Sequence, residues 1–163
     1  MTNRECSNAQ EHMVAKLLSW KVVSGSGARA CHPGDVESTS WLGECKTHIT
    51  QHVPVCFKHD VWVKICDEAA SRYKYPILFC DDGVRKPDHT WCMFPAHVLP
   101  DPIDGVTYPF PIQTNVTFSH KALINELSAC PDALIKVMWN NNLMCMCTLS
   151  KFAVLADDMG WNQ

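Results

Sequence analysis

Two short segments of this chain, residues 34–37 and 43–46, place carboxylates and a lysine where the sequence predicts the strands of a hairpin. Side chains alternate between the two faces of a strand, so Glu44 and Lys46 project to one side and the cysteine between them to the other. A hairpin partner that carries Asp35 brings a second carboxylate beside them. Two carboxylates at one point repel each other unless a cation lies between them, so the pattern predicts a metal site.

The ligand type limits which metal such a site would bind. Oxygen ligands with no neighbouring His/Cys pair favour a hard ion such as Mg²⁺. In that setting Lys46 orients a water molecule or balances the charge on a phosphate under attack. The alternative interpretation is a solvated strand face, because surface strands often carry Glu and Lys on one side. The surrounding sequence favours the metal site.

Residues 2–19 are predicted to form a helix, because apolar side chains recur there at three- and four-residue spacing. Thr2 and Glu5 match a capping box, with Thr2 as the N-cap and Glu5 as the third helical residue. Glu5 also has a second interpretation, as a third carboxylate on a helix that packs beside the metal site. The two roles are compatible. The predicted apolar stripe consists of Cys6, Ala9, Met13 and Leu17.

A Ser/Gly segment, residues 24–29, follows a short strand predicted at residues 20–23. Its two glycines allow the backbone to approach a ligand closely, and Arg29 at its edge is suited to meet a phosphate. An ordinary flexible connection is the alternative, since Gly and Ser also mark mobile loops.

The predicted elements, taken in order, resemble the PD-(D/E)xK nuclease superfamily. They are a helix with an early Glu, a short strand, a Ser/Gly loop, Gly-Asp-Val and a strand ending in Glu-Cys-Lys. Within this superfamily, segments 20–27 and 34–36 look most like the archaeal-type Holliday-junction resolvases and related phage nucleases. The resemblance covers roughly the first half of the chain. The superfamily motif places a proline directly before the aspartate, whereas a glycine separates Pro33 from Asp35 here; the carboxylate is retained.

The resemblance implies an α/β fold with a restriction-endonuclease-like core, in which a central mixed sheet is flanked by helices. It also implies that phosphodiester hydrolysis depends on a small set of residues. The positions that match the catalytic ones of the superfamily are Glu5, Asp35, Glu44 and Lys46.

A metal site and a substrate follow from the same resemblance. Asp35 and Glu44 would hold Mg²⁺ together with the carbonyl of Cys45, Glu5 would complete the site directly or through water, and Mn²⁺ would substitute for Mg²⁺. A serine of the loop, Ser24 or Ser26, would contribute to substrate binding. Branched DNA is the implied substrate, and symmetrical cutting of two strands implies a homodimer.

The segments that follow the motif supply further predicted elements. Residues 47–52 are predicted to finish the strand, so that His48 shares the face of Lys46, where it assists proton transfer or is only a polar rim residue. The pattern predicts a second helix over residues 57–73, strands over 76–80 and 91–94, and a turn at 81–83. This order of elements is the one expected of the superfamily core.

The rest of the chain carries no motif connected with chemistry. Repeated prolines make residues 95–118 loop-rich, and Ser119 is a predicted N-cap for a helix through Ala129. A hairpin of residues 135–139 and 143–149 and a short helix over 151–156 complete the prediction. We expect a single domain over residues 1–163, with a nuclease core of about 1–98 and a C-terminal α+β elaboration of about 99–163.

Composition is that of a globular chain. The 163 residues are 47% hydrophobic and 19% charged, which is sufficient for a proper core. The net charge of −3 counts mildly against nucleic-acid binding, although a local basic surface is compatible with an acidic total.

Ten cysteines occur in this chain, mostly within apolar segments where a free cysteine packs as a small hydrophobe. A polar N-terminus and the lack of a membrane-length apolar run predict a cytoplasmic protein with no membrane contact, in a bacterium or in the host of a phage. A structural zinc site would need paired ligand spacings, which the nearest candidates, Cys31-His32 and Cys145-Met146-Cys147, do not match.

The sequence thus predicts a Mg²⁺-dependent endodeoxyribonuclease that acts on branched DNA. A first alternative is another nuclease of the same fold, acting on linear or single-stranded DNA in recombination or restriction. A second is of a different class: a non-catalytic structural or interaction protein whose carboxylates form a solvated strand face.

Overall fold

A computed structural model describes residues 2–23, 33–100, 105–107, 112–127 and 134–162. These residues form the helices α1 (Asn3–Leu18), α2 (His59–Ala70), α3 (His120–Leu127) and α4 (Leu149–Asp158). The strands are β1 (Lys21–Val22), β2 (Val36–Glu37), β3 (Trp41–Lys46), β4 (Val55–Phe57), β5 (Tyr75–Asp81), β6 (Thr90–Pro95), β7 (Gly105–Thr107), β8 (Val116–Phe118), β9 (Leu134–Trp139) and β10 (Asn142–Thr148).

The fold is α/β, with a large mixed sheet flanked by helices, as expected. In the described residues this sheet has eight strands in the order β1-β2-β3-β5-β6-β10-β9-β7, while β4 and β8 pair separately. β1, β2 and β3 are antiparallel, and α2 crosses from β3 to β5, which runs parallel to β3. β10 pairs with β6, so the C-terminal hairpin extends the same sheet. Within the described ranges, the helices are too short or too polar to cross a membrane.

Alternation along the central strands divides the core between the two faces of the sheet. On one face, Phe79 of β5 packs in a cluster with Val14 of α1 and Phe152 of α4. On the other face, Leu78 packs in a cluster with Ile65 of α2 and Leu123 of α3. β5 is therefore covered on both sides, which explains its continuous apolar sequence.

The first helix begins as predicted, but its buried face differs from the predicted stripe. Thr2 and Glu5 form the capping box: the Thr2 N–H donates to Glu5 Oε2 at 2.7 Å, and the Glu5 N–H donates to Thr2 Oγ1 at 3.3 Å. Leu17, placed on the predicted stripe, is 40% exposed. The stripe was misplaced because a polar residue lies in the middle of the buried face, which consists of Cys6, Gln10, Val14, Ala15 and Leu18.

Other predicted boundaries are corrected by pairing between distant segments. β3 ends at Lys46, and residues 47–52 do not finish the strand, because the Thr47 hydroxyl donates to Asp81 Oδ1 at 2.7 Å as the chain turns. α2 begins only at His59, because Phe57 pairs with Val116 between β4 and β8. Those two short strands and β7 were not predicted. The helix predicted through Ala129 extends at least to Leu127, and residues 128–129 lie outside the described residues.

Gly83, in the predicted turn after β5, provides a test of how closely this turn packs against the backbone of Thr50. Its φ is +87°, and a Cβ there would lie 2.0 Å from the carbonyl oxygen of Thr50. Gly160 is a matched control, because its φ is +69° and a Cβ there would meet nothing within 4 Å.

We expect Gly160→Ala to cost about 1–2 kcal/mol of unfolding free energy through left-handed backbone strain alone. Gly83→Ala should cost roughly a further 1–3 kcal/mol, because the new methyl group overpacks against rigid backbone. Urea unfolding of the two variants measures the difference, and equal losses would show that the contact at Thr50 is not restrictive.

Candidate metal and phosphate site

The hairpin of β2 and β3 brings Asp35 to the end of β3. Val36 pairs with Gly43, and the Asp35 N–H donates to the Gly43 carbonyl at 2.8 Å, so continuing the register by one residue sets Asp35 opposite Glu44. The Asp35 carboxylate accepts a hydrogen bond from the Cys45 N–H at 2.8 Å. Two of the predicted carboxylates therefore lie on adjacent strands at one end of the hairpin.

Glu44 is buried and lies between two lysines. Its residue exposure is 5%, and its Oε1 lies 2.5 Å from Lys46 Nζ and 3.5 Å from Lys64 Nζ of α2. Lys64 also reaches Glu68 one turn later, at 3.6 Å. Glu68 in turn accepts a hydrogen bond from the Gly34 N–H at 3.1 Å. This chain of contacts joins α2 to the hairpin and compensates the charge of a carboxylate that is removed from water.

Lys46 remains a cation in this setting. Burial acts to lower the pKa of Lys46. The Glu44 carboxylate raises this pKa through its charge and its hydrogen bond, and the Asp35 carboxylate raises it through its charge. The resulting pKa lies above the ordinary value for lysine. A lysine that holds its proton is a hydrogen-bond donor and a positive charge, and it is a poor proton acceptor at neutral pH. Of the roles predicted for Lys46, charge balance and orientation fit this protonation state.

A side-chain amide fixes α1 against this end of the sheet. The amide of Gln10 donates to the Lys46 carbonyl at 3.0 Å and to the Phe79 carbonyl at 3.5 Å, and Gln10 itself is fully buried. These bonds connect α1 to the last residue of β3 and to a residue near the end of β5. They also fix the rotation of the helix, so the next residue, Glu11, comes near the hairpin carboxylates.

Glu11 is the helix carboxylate that interacts with the site. Burial raises its pKa, and the charges of Asp35 and Glu44 raise it further, against the opposing effects of His12 and Lys46. A carboxyl group with a raised pKa beside two other carboxylates marks an excess of negative charge that a cation would relieve. Sequence reasoning missed this residue.

Glu5, the helix carboxylate predicted for the site, has its described contacts in the capping box. The signal for Glu11 was present in the sequence. Glu11, Val14, Ala15 and Leu18 follow the i, i+3, i+4, i+7 spacing of one helix face. The predicted apolar stripe ran through Leu17 and did not include this face.

The other predicted site residues differ in how close they lie to the carboxylates. Cys45 is buried beside the carboxylates, and burial raises the pKa of its thiol well above the ordinary value, so the thiol is neutral. His48 lies beyond the end of β3, where its carbonyl accepts a hydrogen bond from Arg85 at 2.8 Å, and its side chain borders a small cavity together with Lys46. Ser24, Ser26 and Arg29 lie outside the described residues.

The described residues contain no set of three or more His, Cys, Asp and Glu side chains arranged to hold a metal ion. The chemistry of the donors still fits a hard divalent cation. Asp35, Glu44 and Glu11 supply oxygen ligands only, and the pKa of Glu11 is raised first by burial and then by the charges of the other two carboxylates. Glu44 is paired with lysines in this structure, so a cation would compete with Lys46 and Lys64 for its oxygens.

A second cluster of titratable groups, not predicted from the sequence, follows β5. Asp82 is 2% exposed, and its Oδ2 lies 3.0 Å from His89 Nδ1 and 3.8 Å from His52 Nδ1. His89 stacks on His120 with ring centroids 4.1 Å apart. Trp91 Nε1 donates to His120 Nδ1 at 3.1 Å, which places the proton of neutral His120 on Nε2.

This cluster predicts a pH dependence of stability. Burial lowers the pKa of His120, His89 and His52 lower it further, and Asp82 and Asp88 act in the opposite direction. The folded protein therefore binds this proton less readily than the unfolded chain, so stability is complete above the unfolded pKa of about 6.5 and falls as the pH drops through that value.

Replacing His120 with glutamine should flatten the dependence of Tm on pH between about 7.5 and 5.5, because the group that gains a proton on unfolding is removed. Exposed His12 on α1 is the control, and His12→Gln should retain the wild-type slope. An unchanged slope in His120→Gln would assign the acid sensitivity to other groups.

Comparison with known proteins adds no relative to these observations: no family model, curated protein or solved structure matches this chain.

Proposed function

We propose that this protein is a Mg²⁺-dependent endodeoxyribonuclease with a PD-(D/E)xK core, acting on branched DNA. The observation that carries the proposal is the grouping of Asp35, Glu44, Lys46 and Glu11 where β3 ends, with Lys46 held on Glu44 at 2.5 Å. A surface strand that carried Glu and Lys only for solubility would not bury Glu44 to 5% exposure.

The chain order supports the same proposal. α1 is followed by the antiparallel strands β1, β2 and β3, then, after β4 of the separate two-stranded sheet, by the crossover helix α2 and the parallel strand β5. Helix, two or three strands, helix and strand is the order expected of the superfamily core. The candidate residues come from α1, from the turn into β2 and from β3, so neighbouring elements near the start of the chain build one site.

In this mechanism the protein's own side chains position the phosphate and the attacking water. Asp35, Glu44 and Glu11 are not arranged around one point in this structure, and a Mg²⁺ ion that drew them together would supply positive charge at the phosphate and a bound water of lowered pKa. Lys46, protonated because of its carboxylate neighbours, donates a hydrogen bond to the attacking water or to a phosphate oxygen and offsets the charge that develops there. Gln10 holds α1 in place, which keeps Glu11 within electrostatic reach of Asp35.

The metal role assigned above to a helix carboxylate belongs in this proposal to Glu11 rather than to Glu5. Glu5 caps the helix, whereas Glu11 interacts with Asp35 and Glu44. The described residues of one chain provide one such group, and cutting two strands symmetrically requires two. The protein therefore acts as a homodimer in this proposal, with Mn²⁺ able to replace Mg²⁺.

The test is a cleavage assay with a four-way junction and a linear duplex of the same sequence, each with Mg²⁺ and with EDTA. We expect cleavage only with Mg²⁺ and faster cleavage of the junction. Asp35→Asn is the inactive control, because asparagine keeps an oxygen that accepts the Cys45 N–H and loses only the charge. Equal rates for wild type and Asp35→Asn, or no cleavage of either DNA, would refute the proposal.

A further inference from the structure

A small cavity of about 220 Å³ opens beside Lys46. Its apolar walls include Val61 of α2 together with Leu78 and Cys80 of β5, and the two β5 residues are 0% and 3% exposed. The exposed residues that line the cavity are Lys46, His48, Lys58 and Asp60. The cavity therefore has a buried apolar floor and a polar mouth, where two lysines face one carboxylate.

The cavity is smaller than the roughly 300–1,000 Å³ of pockets that enclose a drug-sized ligand, so it suits a part of a larger molecule. A phosphate alone would find little to bind on the apolar floor. A nucleobase has apolar faces for that floor and a polar edge for the mouth, while its sugar and phosphate remain outside near the lysines. A base within a duplex is stacked and paired, so it cannot enter an enclosed cavity unless it leaves the stack.

We propose that this cavity takes up one unpaired nucleotide next to the phosphate that Lys46 contacts. The inference rests on the proposed nuclease function and makes it more specific. An unpaired nucleotide occurs in flaps and single strands, and at a branch point where a base pair opens, so occupancy of the cavity selects these DNAs over continuous duplex. Selectivity among DNA substrates then depends on whether a base can enter the cavity, in addition to the contacts between the protein and the duplex backbone.

The test compares two substrates of identical sequence that differ only in whether the nucleotide at the mapped cleavage position is paired or unpaired. Val61→Phe fills the cavity with a ring. Val63→Phe is the matched control, because it introduces the same ring on the same helix at a residue that is 44% exposed and does not line the cavity.

Wild type and Val63→Phe should cleave the unpaired substrate at least tenfold faster than the paired one. Val61→Phe should bring this ratio close to one by slowing cleavage of the unpaired substrate. A wild-type ratio in Val61→Phe would overturn the inference while leaving the nuclease function intact. Circular dichroism and Tm verify that the variants fold. Lys58→Ala, at the exposed mouth of the cavity, is a second variant that changes no core residue. It should weaken the preference for the unpaired substrate.

A binding measurement separates the inference from the nuclease function. A single-stranded oligonucleotide containing 2-aminopurine is titrated with protein in EDTA, where no cleavage is expected, and its fluorescence reports the environment of the base. Val61→Phe should bind at least tenfold more weakly than wild type and Val63→Phe. Equal binding by all three proteins would overturn the inference even if the enzyme cleaves DNA, and the predicted loss would support it even if no cleavage is found.

Discussion

Replacing Lys46 with alanine is expected to lower the rate of DNA cleavage by about 100-fold or more, because the variant loses a positioned charge at the reacting phosphate. DNA binding should remain nearly intact, since one lysine contributes little to the contacts of a whole duplex. The fold should also persist, because the Lys46 side chain is 47% exposed and Lys64 still reaches the buried Glu44 carboxylate at 3.5 Å. Single-turnover cleavage with saturating enzyme, together with a separate binding titration, distinguishes loss of chemistry from loss of affinity.

Lys64→Ala is the matched control for the charge. Lys64 also reaches Glu44, at 3.5 Å, and its side chain is 55% exposed, so its removal changes the local charge as Lys46→Ala does. It projects from α2 and does not belong to the Glu-x-Lys segment. We expect a much smaller effect on the rate. Comparable losses in the two variants would mean that net positive charge near Glu44 matters and that Lys46 has no specific role.

The second large effect should distinguish two glutamates on one helix. Glu11→Gln should lower turnover substantially and raise the Mg²⁺ concentration needed for half-maximal activity, because the carboxylate coupled to Asp35 and Glu44 is lost. Stability should not fall. Burial and like charges raise the pKa of Glu11, so its ionised form destabilises the folded state at neutral pH, and a neutral isostere removes that cost.

Glu5→Gln is the control, since glutamine can replace glutamate in a capping box and the cap is worth only about 1 kcal/mol. Its rate and Mg²⁺ dependence should match those of wild type. The measurement is the initial rate of cleavage across a Mg²⁺ titration for the three proteins, with Tm recorded for each. Loss of activity in Glu5→Gln but not in Glu11→Gln would restore the metal role to Glu5.

Some parts of the fold were predictable because short-range interactions fix them. The capping box joins Thr2 to a residue three positions away, and its chemistry can be read from two residue types. The turn between β9 and β10 is similar: Asn140 and Asn141 adopt φ of 45° and 63°, a conformation that asparagine tolerates better than most residues. The buried strand β5 was evident because an apolar run of that length needs cover on both faces.

Other parts depended on partners far away in the chain. Phe57 was predicted as helical from its spacing with Val61 and Ile65, yet it pairs with Val116 in a two-stranded sheet. The cluster around Asp82 joins His52, His89 and His120, which come from three separate segments. No local pattern connects these residues, so only the folded chain brings them together.

The sequence alone determined that Glu44 and Lys46 share one face of a strand and that a hairpin brings Asp35 to them, because strand alternation and antiparallel pairing follow from backbone geometry. The tertiary structure decided which helix glutamate joins them. That choice depends on the rotation of α1 about its own axis, which is fixed by apolar packing and by the Gln10 amide reaching the Lys46 carbonyl, 36 residues along the chain. Helical periodicity defines the possible faces, but the sheet against which the helix packs selects one of them.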